Sequence, residues 1–285
     1  LILPRGLCAA LLAVALTACG KPAIEARPAL WRVSDGDTEI WLLGTIHALP
    51  PGVRWETPAV TRAIAQADTL VTEIAAASPE VAGAVFAKFA QAKGLPPIAV
   101  RVAPGQQAVL ADAARAAGVS VETLNGLRTW AAAVTLAAGP MRAAGASPDN
   151  GVEATLATRF AGRRRAALET QSEQLAIFNA LPEAAQRVLL ARALADAGGY
   201  ATTLAAWEAG DVRALAASFG PAFRGAPELE RSLETARNAR WSGWIARRMR
   251  APGRVLVAVG AGHLVGRDSV VAMLAARGFK VSRVE

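Results

Sequence analysis

Cysteine is nearly absent. The chain of 285 residues holds two, Cys8 and Cys19, and none follows them. If the first segment is removed at Cys19, the remaining domain has no disulfide, no thiolate metal ligand and no thiol nucleophile. Its stability then rests on its core, and roughly 265 residues suffice to bury one of good size. Histidine is almost as scarce: His47 and His263 are the only two, so any imidazole chemistry belongs to them. No stretch beyond the N-terminal segment is apolar and long enough to cross a membrane. Low-complexity tracts and short tandem repeats are missing as well. The charge is +8, but it is spread over scattered arginines rather than gathered in a patch, which argues against nucleic acid as a partner. The one dense run, Arg163-Arg164-Arg165, falls between a helical and a strand-like segment and reads as a solvated loop.

What the N-terminus does contain is readable. Arg5 precedes an apolar run from Leu7 to Leu16 that is of signal-peptide length and short for a spanning helix. Thr17-Ala18-Cys19-Gly20 follows. Small residues before a cysteine resemble a bacterial lipobox, which implies cleavage before Cys19 and a lipid anchor on it. An ordinary signal peptide cut near Ala18 is the alternative. The expected organisation is a signal peptide over 1–18, a tether over 19–28 and a single domain over 29–285. The expected location is the exported, membrane-anchored one, on the periplasmic side. Gly20 after the cysteine favours the outer membrane by the lipoprotein sorting rule.

Within the domain, Leu30 to Val33 and Thr38 to Leu43 alternate as strands around the turn residues Ser34-Asp35-Gly36-Asp37. Thr57-Pro58 opens a helix reaching about Ala67, and Thr69 to Ile74 reads as a short buried strand. Helical patterns then run from Pro79 to about Ser147 and from Val152 to about Ala161. Arg165 to Glu169 is a short strand, and Ser172 to Met249 is helical again. Arg254 to Val259 is the clearest strand; it runs into Gly260-Ala261-Gly262-His263, after which a helix is expected to about Ala276, and an edge strand over Lys280 to Val284. Strands at both ends with a long helical middle predict an α/β (α+β) fold. A central mixed sheet flanked by helices would be interrupted by a helical insert at about 79–160.

Both histidines stand three residues after a glycine, in Gly44-Thr45-Ile46-His47 and Gly260-Ala261-Gly262-His263, and each motif follows an apolar β-prone run. Open sheets bind ligands beyond the carboxyl ends of their strands. A glycine there lets the backbone turn sharply or approach a ligand, and an imidazole held there suits metal ligation or general acid/base work. Glu73 and Glu169 occupy similar strand ends, where a buried carboxylate is costly without a cation or donors. Glu169, before Thr170-Gln171-Ser172, reads equally well as a residue near a helix start. Arg237, in Arg237-Asn238-Ala239-Arg240-Trp241, could anchor a carboxylate or oxyanion, although position alone equally suits a solvated helix face.

Together these residues resemble the TraB/GumN family, which includes Tiki-type membrane-linked proteases and bacterial pheromone-shutdown proteins. The family pattern is an early Gly-x-x-His after a strand, a Glu after the next helix and a late Gly-x-x-His. Gly44 to His47, Glu73, and Gly260 to His263 match it. Leu168-Glu169-Thr170 with Gln174-Leu175, Trp207 with Gly210-Asp211, and Arg237-Asn238 with Trp241 are similar to its further motifs. Near Gly151-Val152-Glu153 the family often has Asp where this chain has Glu153. The resemblance extends from about Leu30 to the C-terminus and implies kinship with a fold group that also holds erythromycin-esterase-like hydrolases and a haem-binding lipoprotein.

Three functions stay open. The first is a metal-dependent, peptidase-like hydrolase of the cell envelope. His47, Glu73 and His263 would hold Mn, Co or Zn, Glu73 otherwise serving as general base, with Glu169 and Arg237 in support. The second is a metal-free hydrolase in which one histidine is the base, oriented by Glu73 or Glu169. The third is a non-enzymatic lipoprotein that binds haem through its histidines or assists polysaccharide assembly. The substrate, peptide or other envelope material, is not specified by the sequence.

Overall fold

A computed structural model describes residues 24–195, 199–223 and 225–285. The signal peptide over 1–18, Cys19 with its expected lipid, and the first part of the tether lie outside the described residues. The central hairpin forms where the turn chemistry places it: β1 (Leu30–Ser34) and β2 (Thr38–Thr45) pair antiparallel, Val33 opposite Ile40. Asp35 closes the turn by accepting from the backbone N–H of Thr38 at 2.9 Å.

Three further strands, β3 (Thr69–Thr72), β4 (Arg164–Ala167) and β5 (Gly253–Gly260), lie parallel to β2, and the short β6 (Val281–Arg283) pairs antiparallel with β1. The spatial order is β4-β3-β5-β2-β1-β6, a mixed sheet with the clearest apolar strand at its centre. Both faces of β5 are covered, which is why its sequence is continuously apolar rather than alternating. Leu256 and Ala258 pack with Leu30, Leu43, Leu70, Leu156 and Phe160 on one side. Val255, Val257 and Val259 pack with Ile40, Val71, Trp241, Ile245 and Leu274 on the other.

The helices that frame the site are α1 (Pro58–Gln66), α2 (Pro79–Ala90), α3 (Thr129–Ala143), α4 (Val152–Arg159), α5 (Gln171–Ala180), α6 (Ala236–Arg248) and α7 (Val270–Ala276). Thr57 caps α1 as its sequence promises, accepting from Val60 N–H. The helical body between β3 and β4 has its own core around Trp130, Ile98, Leu110 and Leu136, and it recruits Leu175 and Leu190 from beyond β4. Among the described residues, no helix is long and apolar enough to cross a membrane.

Two local expectations need correction. The helix expected directly after His263 starts later: Ala261–Leu264 form a 3-10 turn, Gly266 adopts a φ of +86°, and Ser269 caps α7, which begins at Val270. The arginine run is not a solvated loop either. Arg164 and Arg165 belong to edge strand β4. The Arg163 guanidinium lies over the Phe160 ring and donates to the carbonyls of Ile64 and Ala67 at 2.6 and 3.0 Å, capping the end of α1.

Candidate functional site

The parallel strands end level with one another. Thr45 is opposite Gly260, Thr72 is opposite Ala258, and Ala167 is opposite Thr72. His47, Glu73, Glu169 and His263 each follow one of these carboxyl ends, so residues far apart in sequence converge where an open parallel sheet presents its ligand site. Glu73, Glu169, Arg237 and His263 are all at least nine-tenths buried.

Arg237 is the hub. It comes from the first turn of α6, directly after the π-helical turn Arg231–Thr235, a wide turn that recurs at functional sites. Its Nη2 donates to Glu73 Oε2 at 2.7 Å and to Glu169 Oε1 at 2.5 Å, and its Nε to Glu169 Oε1 at 3.0 Å. Its Nη1 reaches His263 Nε2 at 3.1 Å and the Leu233 carbonyl at 3.2 Å. The Trp241 ring lies under the guanidinium, 4.5 Å from its carbon. Gln174, from α5, donates to both carboxylates, at 3.3 Å to Glu73 and 3.1 Å to Glu169. Every donor of Arg237 is therefore engaged by the protein, which makes it a strut for two buried carboxylates rather than a free oxyanion clamp.

The two histidines sit in contrasting hands. His263 Nδ1 faces Asn238 Oδ1 at 2.7 Å, and that amide is oriented because its Nδ2 donates to the Asp268 carbonyl at 2.8 Å. An amide oxygen can only accept, so the ring proton is on Nδ1 and Nε2 accepts from Arg237. Burial, reinforced by the Arg237 charge and opposed by Glu73, lowers the His263 pKa to about 4. The ring is neutral and wedged against Trp241, centroids 4.5 Å apart.

His47 instead offers Nδ1 to Glu153 Oε1 at 2.8 Å, and the same oxygen accepts from the Thr45 hydroxyl. The cleft walls disfavour charge on this ring. The hydrogen bond and charge of Glu153, with the charge of Glu73, outweigh them and raise its pKa to about 9. The ring is about two-thirds exposed (66%), and its backbone is pinned. Tyr200 donates to the Ala48 carbonyl at 2.8 Å, and Trp207 donates to the Gly44 carbonyl at 2.8 Å. Gly151 lets α4 approach so closely that a Cβ there would stand 2.1 Å from the His47 carbonyl oxygen.

Glu73 completes the centre. Burial alone would raise its pKa. The charges of His263, His47 and Arg237, with the Gly260 N–H donating at 2.6 Å, pull it down to about 2. Gly260 keeps the middle of the site open. A Cβ on it would lie 3.0 Å from Glu73 Oε1, 3.6 Å from His47 Nε2 and 3.7 Å from His263 Cδ2. His47 and Glu73 thus face this space with polar atoms, while His263 faces it with carbon. The space opens into a cavity of ≈ 730 Å³ walled largely by alanines, with Glu153, Gln171 and Arg165 on its rim.

This arrangement bears on metal binding. His47, Glu73 and His263, expected as the ligand set, do surround one space. The lone pair of His263 Nε2, however, is engaged by a guanidinium, and a divalent cation beside it would meet that positive charge. Among the described residues, no group of three or more His, Cys, Asp or Glu side chains is placed to hold a metal ion. The donor set does not fit a three-ligand metal centre.

Sequence reasoning missed Glu153 and Asn238 as the partners that set the two rings apart. Both were in view, Glu153 as a departure from the family's usual Asp and Asn238 as the neighbour of Arg237. Neither position says which ring it faces. The further family-like motifs also resolve into supports. Thr170 and Glu173 form a capping box at the start of α5, and Asp211 caps the following helix through Arg213 and Ala214 N–H.

The sequence model of the TraB/PrgY/gumN family matches residues 29–283. No curated protein and no solved structure matches the chain.

Proposed function

The chain belongs to the TraB/PrgY/gumN family, and on that premise we propose that its site is a metal-independent acid–base hydrolase centre acting on an amide or ester carbonyl. One observation carries this reading. His47 is held through Nδ1 by Glu153 at 2.8 Å, which leaves Nε2 to face Glu73 across the gap above Gly260. A carboxylate on one ring nitrogen fixes the tautomer and frees the other nitrogen to exchange a proton with the reacting group.

With a pKa of about 9 for His47 and about 2 for Glu73, the pair rests at neutral pH as imidazolium and carboxylate. Glu73 Oε1 orients the attacking water and takes its proton as the water oxygen bonds to the carbonyl carbon. His47 Nε2–H then protonates the departing nitrogen or oxygen as its bond to that carbon breaks. Return of the proton from Glu73 to His47 through solvent resets the site. His263, Asn238, Arg237 and Glu169 touch none of the reacting atoms in this scheme; Arg237 holds Glu73 and favours its ionised form, and the others hold Arg237 and one another. Export and a lipid anchor at Cys19 accompany the proposal and would place the reaction on envelope material.

The first test needs no substrate, because two histidines give two sets of imidazole NMR signals. The expected result is one ring titrating near 9 and one staying neutral down to about 4, with neither shifted by added Zn, Mn or Co. Stoichiometric metal binding that moves both rings would replace this reading with the metal-dependent one. A Soret band on adding haem, with both rings perturbed, would replace it with ligand binding. For the reaction itself, hydrolysis of an ester or peptide panel should survive chelation and be lost in His47→Asn.

A further inference from the structure

A second cavity, of ≈ 890 Å³, lies between α5 and α6 on the opposite face of the sheet from the His47 cleft. Arg240, Gly243, Trp244 and Arg247 recur at helical spacing along α6 and share its outer face. Arg277, at the end of α7, reaches in beside them. A Cβ built on Gly243 would stand 3.6 Å from Arg247 Nη1 and 4.0 Å from Arg277 Nη2. Two guanidinium groups from different helices thus converge on one point.

Among the described residues, no carboxylate pairs with either guanidinium, that of Arg247 or that of Arg277. Arg240, in contrast, pairs with Glu169 at 3.5 Å, and its charge also acts on Glu173. The two carboxylates of the cavity make their closest bonds elsewhere, Glu169 to Arg237 and Glu173 to the capping box at Thr170, and within the cavity they face Arg240. Glycine is also a poor choice inside a helix, costing about 1 kcal/mol against alanine. Sterics do not demand it here, because the nearest contact of an added Cβ is 3.6 Å. What the missing side chain leaves is room between the guanidinium groups.

We propose that Arg247, Arg277 and Arg240, around Gly243, form a binding site for a phosphate group, either of a soluble phosphoester or of an anionic lipid head. A tetrahedral anion can turn separate oxygens to guanidinium groups arriving from different helices, whereas a planar carboxylate is matched by one fork. The opposite wall, Ala176, Ile177 and Ala180 of α5, together with the Trp244 ring beside the arginines on α6, suits the organic part of such a ligand. The site does not depend on the hydrolase proposal.

The test titrates the protein with inorganic phosphate by calorimetry and with phosphatidylglycerol against phosphatidylcholine vesicles by co-sedimentation, at constant ionic strength. Gly243→Glu builds a carboxylate into the cradle, and removing a helical glycine should keep or raise its melting temperature. Phosphate binding weakened about tenfold or more in Gly243→Glu and in Arg247→Ala/Arg277→Ala supports a soluble phosphoester ligand. Binding to phosphatidylglycerol vesicles alone, lost in the same variants, supports a lipid head. Absence of binding in both arms, or binding that the folded variants leave unchanged, overturns the proposal.

Discussion

His47 and His263 end two copies of one motif, glycine-x-x-histidine after a buried parallel strand, yet the fold treats them oppositely. His47 stands in the cleft with a carboxylate on Nδ1 and a pKa raised to about 9. His263 is buried with an amide on Nδ1, a guanidinium on Nε2 and a pKa lowered to about 4. The motif thus supplies a position at a strand end, and the partner of Nδ1, arriving from a helix elsewhere, supplies the chemistry. Three ways of disturbing the contrast follow in decreasing order of effect.

Arg237→Met should be the most damaging. It removes the cation from between Glu73 and Glu169, whose partners lie at 2.7 and 2.5 Å, and replaces it with a side chain of similar length. A buried ion pair broken from one side typically costs about 3–5 kcal/mol, because the remaining charge is stranded. Denaturant unfolding should show a loss of that order; a loss under about 1 kcal/mol would mean that the carboxylates do not need the strut. Without the guanidinium at its Nε2, His263 should also become easier to protonate, so its NMR titration should rise from about 4.

Exchanging the Nδ1 partners comes next. The His263 pKa of about 4 lies below the free value of 6.5, so the advantage of its neutral ring is complete above about 6.5 and fades as pH falls towards 4. For so large a shift at a buried site this is on the order of 3 kcal/mol. The His47 pKa of about 9 lies above 6.5, so its contribution is complete below 6.5 and fades as pH rises through 9. Solvent around the exposed ring limits that contribution to under about 1 kcal/mol. Asn238→Asp gives His263 a carboxylate and should flatten the loss of melting temperature between about pH 7 and about pH 5. Glu153→Gln gives His47 an amide and should bring its NMR titration down from about 9. An unchanged acid slope in Asn238→Asp would show that another group governs it.

The contrast also marks how far the sequence could be read. Val255 to Val259 is apolar without interruption, which announces a strand covered on both faces, and the sheet follows from that strand and the Asp35-Gly36 hairpin. The four strand-end residues were legible because a histidine or carboxylate after an apolar run is costly and calls for a reason. Their partners were not. Glu153 lies 106 residues from His47 and Asn238 lies 25 from His263, and such pairing exists only once the sheet has set the distances. Arg237 was hidden differently. In a chain so rich in arginine, its residue type carries no signal, and burial alone separates it from Arg240 three residues on.

The smallest disturbance concerns the motif glycines, neither of which has a positive φ, so space rather than backbone freedom explains them. A Cβ on Gly44 would meet the Cα and Cβ of Ala261 at 3.2 Å, where β2 passes the turn that carries His263. A Cβ on Gly260 would meet Glu73 Oε1 at 3.0 Å, the oxygen that its own N–H holds. Gly44→Ala should therefore cost stability by mild overpacking, about 1 kcal/mol, and leave the titration of His47 unchanged. Gly260→Ala should cost a similar amount, because the one close atom is the end of a side chain, Glu73 Oε1, rather than packed backbone. By pushing Glu73 away from His47, it should lower the pKa that Glu73 helps to raise. Parallel melting and NMR titration of the two variants separate the cases. If both lose stability and neither shifts His47, Gly260 is a packing residue like Gly44, and the open space beside Glu73 has no part in the chemistry.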